Sequence, residues 1–355
     1  MDFLSKREVN ELLEEEYGFH VQKIDEPRIT ESGITFLVFL DKGGKVIVKQ
    51  THWYDFADNP RAILEKVHSV GNNIKNRGVK VQAAYQARSG GYARFRNGAP
   101  TLVLPYFEGR SFSGADADIL AAGFALASFH KAGVEFLKSN KDEYENIRKT
   151  IPVEKPYEES VELYKTEMRS VLKRTHDCAE KEICALVRAS TPAIDEAIDF
   201  ISRAFDEEKN LAKGIIHTDF NFNNAVYDES GAAAIIDIDH LNVGCLGADI
   251  GNALASFVSR LKKMGKDEPA EKITTLFFSA YHKSNPLSLL DYKLALPSIQ
   301  RTSVTRILRI MRRHHFENNR LPEMMKKIPD RFLARLKDSP KEFSFLTKEW
   351  LRKIF

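Results

Sequence analysis

Two spacings of apolar residues divide this chain. Up to about residue 108 the pattern is that of strands. Ile34–Leu40 and Lys45–Gln50 are β-branched and aromatic runs flanking Asp41-Lys42-Gly43-Gly44, and a Gly-Gly turn between such runs predicts a hairpin. Residues 59–76 switch to helical spacing, with Ala62, Ile63, Val67 and Val70 on one face, before 79–85 and 101–107 return to strand character. Ser5 with Glu8 predicts a capping box opening a helix at the start. Beyond Glu108-Gly109 helices dominate. Residues 116–132 read as an apolar helix and most of 156–209 has helical periodicity, with Pro192 in a first turn followed by Ile194, Ile198, Ile201 and Phe205. The expectation is a bilobal α+β chain, with a small β-rich lobe over 1–108 and a larger, mainly helical lobe over 109–355. The polar stretch 139–155 is expected to be a mobile connection.

Composition narrows the class. The longest apolar run, Ile119–Phe129, falls short of the roughly 18 residues a membrane span needs, so a buried helix is expected there. Charge at the chain start, where an export signal would be apolar, and three cysteines (Cys178, Cys184, Cys245) without a C-x-x-C pair point to a reducing, cytoplasmic setting. Lys and Arg total 53 against 50 Asp and Glu, but residues 251–355 hold 22 against 10, a net of +12. Arg306, Arg309 and Arg313 of that segment share a helical face. No aromatic residues interleave them, which speaks against a nucleic-acid partner.

The chemistry concentrates in Gly214-Ile-Ile-His-Thr-Asp-Phe-Asn-Phe-Asn-Asn224, followed by Ala233-Ala-Ile-Ile-Asp-Ile-Asp-His240. Asp219 and Asn224 stand five residues apart. Past a turn at Asp228-Glu-Ser-Gly231, an apolar strand delivers Asp237. That layout suits phosphoryl transfer, with one Asp orienting an attacking hydroxyl while Asn and a second Asp offer hard oxygen donors to Mg²⁺. This pair of motifs resembles the superfamily of aminoglycoside phosphotransferases, choline kinases and type II homoserine kinases, small-molecule relatives of protein kinases.

The resemblance implies a protein-kinase-like fold, ATP and Mg²⁺ as cofactors, and a set of roles. Lys49, in Val46-Ile-Val-Lys49, would pair with Glu65 of the next helix and grip the α/β phosphates. Main-chain groups of Pro105 and Phe107 would read the adenine edge, and Ser32 and Gly33 would supply the phosphate loop. Asp219 would be the catalytic carboxylate, Asn224 and Asp237 the metal ligands. Asp249, in Gly247-Ala-Asp249-Ile-Gly, would bind the loop backbone, with His217 supporting it. The catalytic loop would span 214–240, and the helices of about 135–212 and 250–355 would hold the acceptor, with Arg306 and Arg309 favouring a neutral or anionic hydroxyl compound over an aminoglycoside.

Each residue also has a plainer reading. Lys49 alone is a solvated sheet lysine and Glu65 a surface helix charge; Asp219 and Asn224 could cap turns, and the terminal arginines could face water. The family pattern H-G-D-x-H-P-x-N is also altered here. Thr218 replaces its glycine, Asn221 its histidine and Phe222 its proline. Asp239, two residues after Asp237 at a strand end, could turn in as a further ligand. Two other readings are a metal-dependent hydrolase built on His217, Asp219, Asp237, Asp239 and His240, and a catalytically silent kinase-like binding protein.

Overall fold

The computed structural model describes residues 3–30, 33–51, 59–151, 166, 185, 188–189, 191–205, 210–316 and 328–355, without the side chains of 30, 205, 308–316 and 328–331. Ser32, Cys178, Cys184, most of 156–209 and the Arg309 side chain therefore lie outside the described parts. The chain forms two compact units, one of residues 1–152 with 223–243, the other of 153–222 with 244–355.

The first unit is built on an antiparallel sheet in the order β1-β3-β4-β6-β5, with β2 paired to β3. The strands are β1 (Val21–Ile24), β2 (Arg28–Thr30), β3 (Gly33–Leu40), β4 (Lys45–Thr51), β5 (Ala93–Arg96) and β6 (Ala99–Pro105). Alternation assigns the faces. Ile34, Phe36 and Val38 of β3, with Val46 and Val48 of β4, are buried against Val9, Leu12 and Leu13 from helix α1 (Lys6–Leu12) and the π-helical turn after it. The predicted capping box is present, Ser5 N–H donating to Glu8 Oε2 at 2.7 Å and Glu8 N–H to Ser5 Oγ at 3.3 Å. Lys49 sits in register with Thr35 and Leu102, and the period of two turns it away from that core.

Helix α2 (Pro60–Lys75) starts as expected, its Ala62 N–H donating to Asn59 Oδ1 at 3.0 Å. Residues 79–85, expected as a strand, are not one. Their main-chain bonds scatter, Gln82 N–H going to the Ile235 carbonyl and Tyr85 N–H to that of Val103, so only the Val81–Ile235 bridge forms. Of the stretch 139–155, the described residues 139–151 also differ. Helix α3 runs over Asp116–Ser139 and α4 (Glu143–Thr150) follows, tied to α2 by Lys66–Glu143 at 2.6 Å. Within α3 the apolar run is mostly buried, but Leu120 and Phe124 are exposed.

The units do not part at Gly109. Arg110 and Tyr227 exchange main-chain hydrogen bonds at 2.8 and 2.9 Å, and Arg110 forks onto Asp118 of α3. These bonds keep the chain after Gly109, and the hairpin of β8 (Ala225–Tyr227) and β9 (Ala233–Ile235), in the first unit.

In the second unit, strand β7 (Lys213–Ile216) leads into the catalytic-loop sequence. Around it lie helices α5 (Thr191–Phe205), α6 (Leu246–Lys263), α7 (Ala270–Ser284), α8 (Leu289–Lys293), α9 (Ala295–Phe316), α10 (Ile328–Glu342) and α11 (Lys348–Ile354). Gly247 and Gly251 let the start of α6 approach the backbone of α8 and α9. A Cβ at Gly251 would lie 2.3 Å from the Ala295 carbonyl oxygen, and one at Gly247 2.1 Å from that of Asp291. Gly251→Ala should therefore cost about 1–3 kcal/mol of stability despite alanine's better helix propensity, read as a lower urea midpoint.

Candidate active site

The first unit collects a cluster around one ammonium. Lys49 Nζ donates to Asp237 Oδ1 at 2.6 Å and to Asp239 Oδ2 at 2.8 Å, across 188 and 190 positions of sequence. The hairpin end makes this possible. Asp237 has φ 59° and ψ 54°, a left-handed conformation aspartate tolerates better than most residues, and a 3₁₀ turn at Ile238–His240 follows. The strand thus stops being regular at Asp237. Asp239, inside that 3₁₀ turn, also points to the ammonium. Burial works against the charged lysine, but Asp239 and Asp237 outweigh it and hold Lys49 above its ordinary range.

Glu65 lies on α2, but its carboxylate is not on Lys49. It accepts Tyr92 N–H at 2.9 and 2.8 Å and Ala93 N–H at 2.9 Å, beside Gly91 at φ 74°. The expected Lys49–Glu65 pair is therefore replaced. The carboxylate fills a concavity of main-chain amides where β5 begins, and two aspartates neutralise the lysine.

His68, one turn beyond Glu65, is a site residue the sequence reading missed. It is fully buried, Nδ1 accepts Ala84 N–H at 3.2 Å, and Nε2, without a hydrogen-bond partner, lies 3.7 Å from Asp239 Oδ1. An accepting Nδ1 places the proton on Nε2, aimed at that carboxylate. Its available signal was a polar residue on the apolar face Ile63, Leu64, Val67, Val70, Ile74.

The remaining predicted residues of this unit are placed as follows. Asn224 is buried and its carbonyl accepts Ile236 N–H at 3.0 Å. Gly33, at φ 146°, closes β3 so tightly that a Cβ would meet the Gln50 carbonyl at 2.0 Å. Pro105 pairs with Val46 at the end of β6. Its carbonyl already accepts Gln82 Nε2–H at 2.9 Å, leaving one lone pair for another donor. Phe107 is half-buried.

The second unit holds the loop from His217 to Phe222. Asp249, in the first turn of α6, accepts His217 N–H on Oδ2 and Thr218 N–H on Oδ1, both at 2.8 Å. His217 is buried, and Phe220 packs against its ring and against Phe257. Thr218 has φ 66° at the position where the family pattern has glycine; for a β-branched residue this is strained, and the two amide bonds to Asp249 hold it. Asp219 is half-buried, with Asn221 Nδ2–H donating to its carbonyl at 2.9 Å and to Oδ2 at 3.3 Å. Arg260 of α6 lies over the Phe222 ring at 5.1 Å. Arg306, on α9, is half-buried and engaged in interactions of its own.

Among the described residues, no three His, Cys, Asp or Glu side chains converge as a metal-binding group. Also among them, no helix is long and apolar enough to cross a membrane.

Comparison with known proteins places these features. The model of the phosphotransferase enzyme family matches residues 28–270. No curated protein matches the chain significantly. An aminoglycoside phosphotransferase from Alicyclobacillus acidocaldarius is similar in structure at a TM-score of 0.61 and 12% identity, with 100% of this chain and 97% of that one covered. An amicoumacin kinase solved with AMP-PNP, Ca²⁺ and amicoumacin is similar at 0.63 and 15%, with 94% of each chain covered. A microcompartment-associated aminopropanol kinase is similar at 0.61 and 14%, with 98% and 99% covered. The fold class is therefore the α+β, protein-kinase-like class of these enzymes.

The buried histidine gives a pH test. Burial, opposed by the Asp239 carboxylate, pushes His68 down from 6.5 to about 4. The unfolded chain then takes up a proton that the folded chain refuses, so stability should fall as pH drops from about 6.5 to 4. The slope should reach about 1.4 kcal/mol per pH unit. Urea unfolding across that window should show a steeper fall in the wild type than in His68→Gln, which keeps only the share of the depressed carboxylates such as Asp118 and Asp239.

Proposed function

We propose that this chain, which belongs to the phosphotransferase enzyme family, transfers the γ-phosphoryl group of ATP to a hydroxyl of a neutral or anionic small molecule. The observation that carries the reading is the Lys49 ammonium clasped by Asp237 and Asp239. A strand lysine and a hairpin-end aspartate far apart in sequence meet where a nucleotide's phosphates and their counter-ion would need them.

The residues fit a divalent cation. Asp237 and Asn224 offer hard oxygens, Asp239 a further one, and the lysine ammonium shows that the carboxylates already attract positive charge. A cation held by Asn224 and Asp237 would neutralise charge on the phosphate oxygens. When the phosphates enter, Lys49 would exchange its carboxylate partners for α/β-phosphate oxygens. Gly33 and the backbone at Pro105 and Phe107 would seat the nucleotide.

Asp219 would orient the acceptor hydroxyl. As the hydroxyl oxygen bonds to the γ-phosphorus and the bond to the β–γ bridging oxygen breaks, releasing ADP, the hydroxyl proton passes to the Asp219 carboxylate. Asn221, bonded to Asp219, would fix the carboxylate's rotamer. Asp249 would fix the backbone that precedes it.

Two outcomes are expected. Mg-ATP should raise the melting temperature, and Asp237→Ala should remove most of that rise; an undiminished rise in the variant would contradict the metal role. Asp219→Asn should keep the nucleotide-dependent rise while lowering turnover about 100-fold or more in a coupled ADP-release assay.

A further inference from the structure

Helix α6 holds the catalytic loop at two places. Asp249, in its first turn, binds the His217 and Thr218 amides, and Arg260, eleven residues and about three turns later on the same face, covers the ring of Phe222 at 5.1 Å. Asp219 lies on the stretch between these anchors. The two ends differ in one respect. Asp249 is satisfied by the groups it binds, whereas Arg260 is not: its Nε is buried without a hydrogen-bond partner, and among the described residues its guanidinium meets only the aromatic face.

An aromatic face attracts a cation but accepts none of the five guanidinium N–H bonds. A buried Nε–H left open is costly unless an acceptor completes it, and an anion is the strongest acceptor for a guanidinium. Nearby positive charge is not in the same position, since Lys262, two residues on, pairs with Glu342. Phe222 backs the planar group, whose fork of N–H donors matches a two-oxygen anion.

We infer that Arg260 determines acceptor specificity by binding an anionic group, a carboxylate or a phosphate, carried by the molecule whose hydroxyl meets Asp219. This rests on the phosphotransferase reading and narrows its acceptor from neutral or anionic to anionic. It also moves recognition from Arg306, which is otherwise engaged, to a guanidinium whose Nε–H has no acceptor among the described residues.

The test uses matched pairs of hydroxyl compounds with the full-length protein and ATP. One arm sets small hydroxy acids against their primary amides; the other sets sugar phosphates against the free sugars. The anionic member of at least one arm should be preferred in kcat/KM by about 10- to 150-fold, the range expected of a charge-assisted hydrogen-bonded pair. Whichever arm responds identifies the anion. Arg260→Gln should erase the preference by lowering turnover of the anionic member alone, and Arg260→Lys should restore part of it. Equal turnover within every pair, preference for neutral members, or a uniform loss across pairs in both variants would overturn the inference. So would a lack of turnover with every compound. The ATP-dependent rise in melting temperature then separates the cases: if it persists, only the acceptor assignment falls, and if it is absent too, the phosphotransferase reading falls with it.

Discussion

One ammonium between two carboxylates organises the first unit. Lys49 reaches Asp237 and Asp239 from the middle of the sheet, and with its side chain only 20% exposed it does so largely out of water. Removing the lysine would leave the buried Asp239 carboxylate uncompensated, at a cost of about 3–5 kcal/mol. The arrangement dictates much around it. The hairpin β8–β9 must end at the sheet, Asp237 must take a left-handed backbone, and Ile238 must be buried against α2, where Gly71 leaves room for it: a Cβ there would lie 2.4 Å from Ile238 Cδ1. The cluster carries one negative charge in excess, and this suits it to a cation.

The second unit answers with a different device. A bare loop with a β-branched residue at positive φ is unfavourable, and a single carboxylate accepting two adjacent amides offsets that cost. The close packing that Gly247 and Gly251 allow fixes the helix that presents Asp249. Loop geometry therefore depends on helix packing well away from the loop itself.

Local pattern made much of this legible. Strands β3 and β4 and helix α2 followed from apolar periodicity, Asp219, Asn224 and Asp237 stood out by their spacing, and Asp249 by the family resemblance. Three things did not. Residues 79–85 are apolar enough for a strand, but periodicity says nothing of where their main-chain bonds go, and those bonds scatter. The partner of Lys49 depends on where the chain leaves regular structure at Asp237, a left-handed residue that no spacing reveals. His68 and Arg260 gain their surroundings only from tertiary packing: one reads as an ordinary face residue of α2, the other as one basic residue among 53.

The amide-bound Glu65 bears on control of the enzyme. In protein kinases the ion pair between the strand lysine and a helix glutamate is made and broken as the helix shifts, and activity is switched there. Here three main-chain hydrogen bonds hold Glu65 to the start of β5, and both lysine partners come from one short segment after β9. Displacing α2 would break this anchorage, and it would also disturb the segment that neutralises Lys49, since His68 of α2 faces Asp239 at 3.7 Å and Gly71 packs on Ile238. Here the helix therefore meets the lysine's surroundings through a histidine and a glycine instead of through its glutamate.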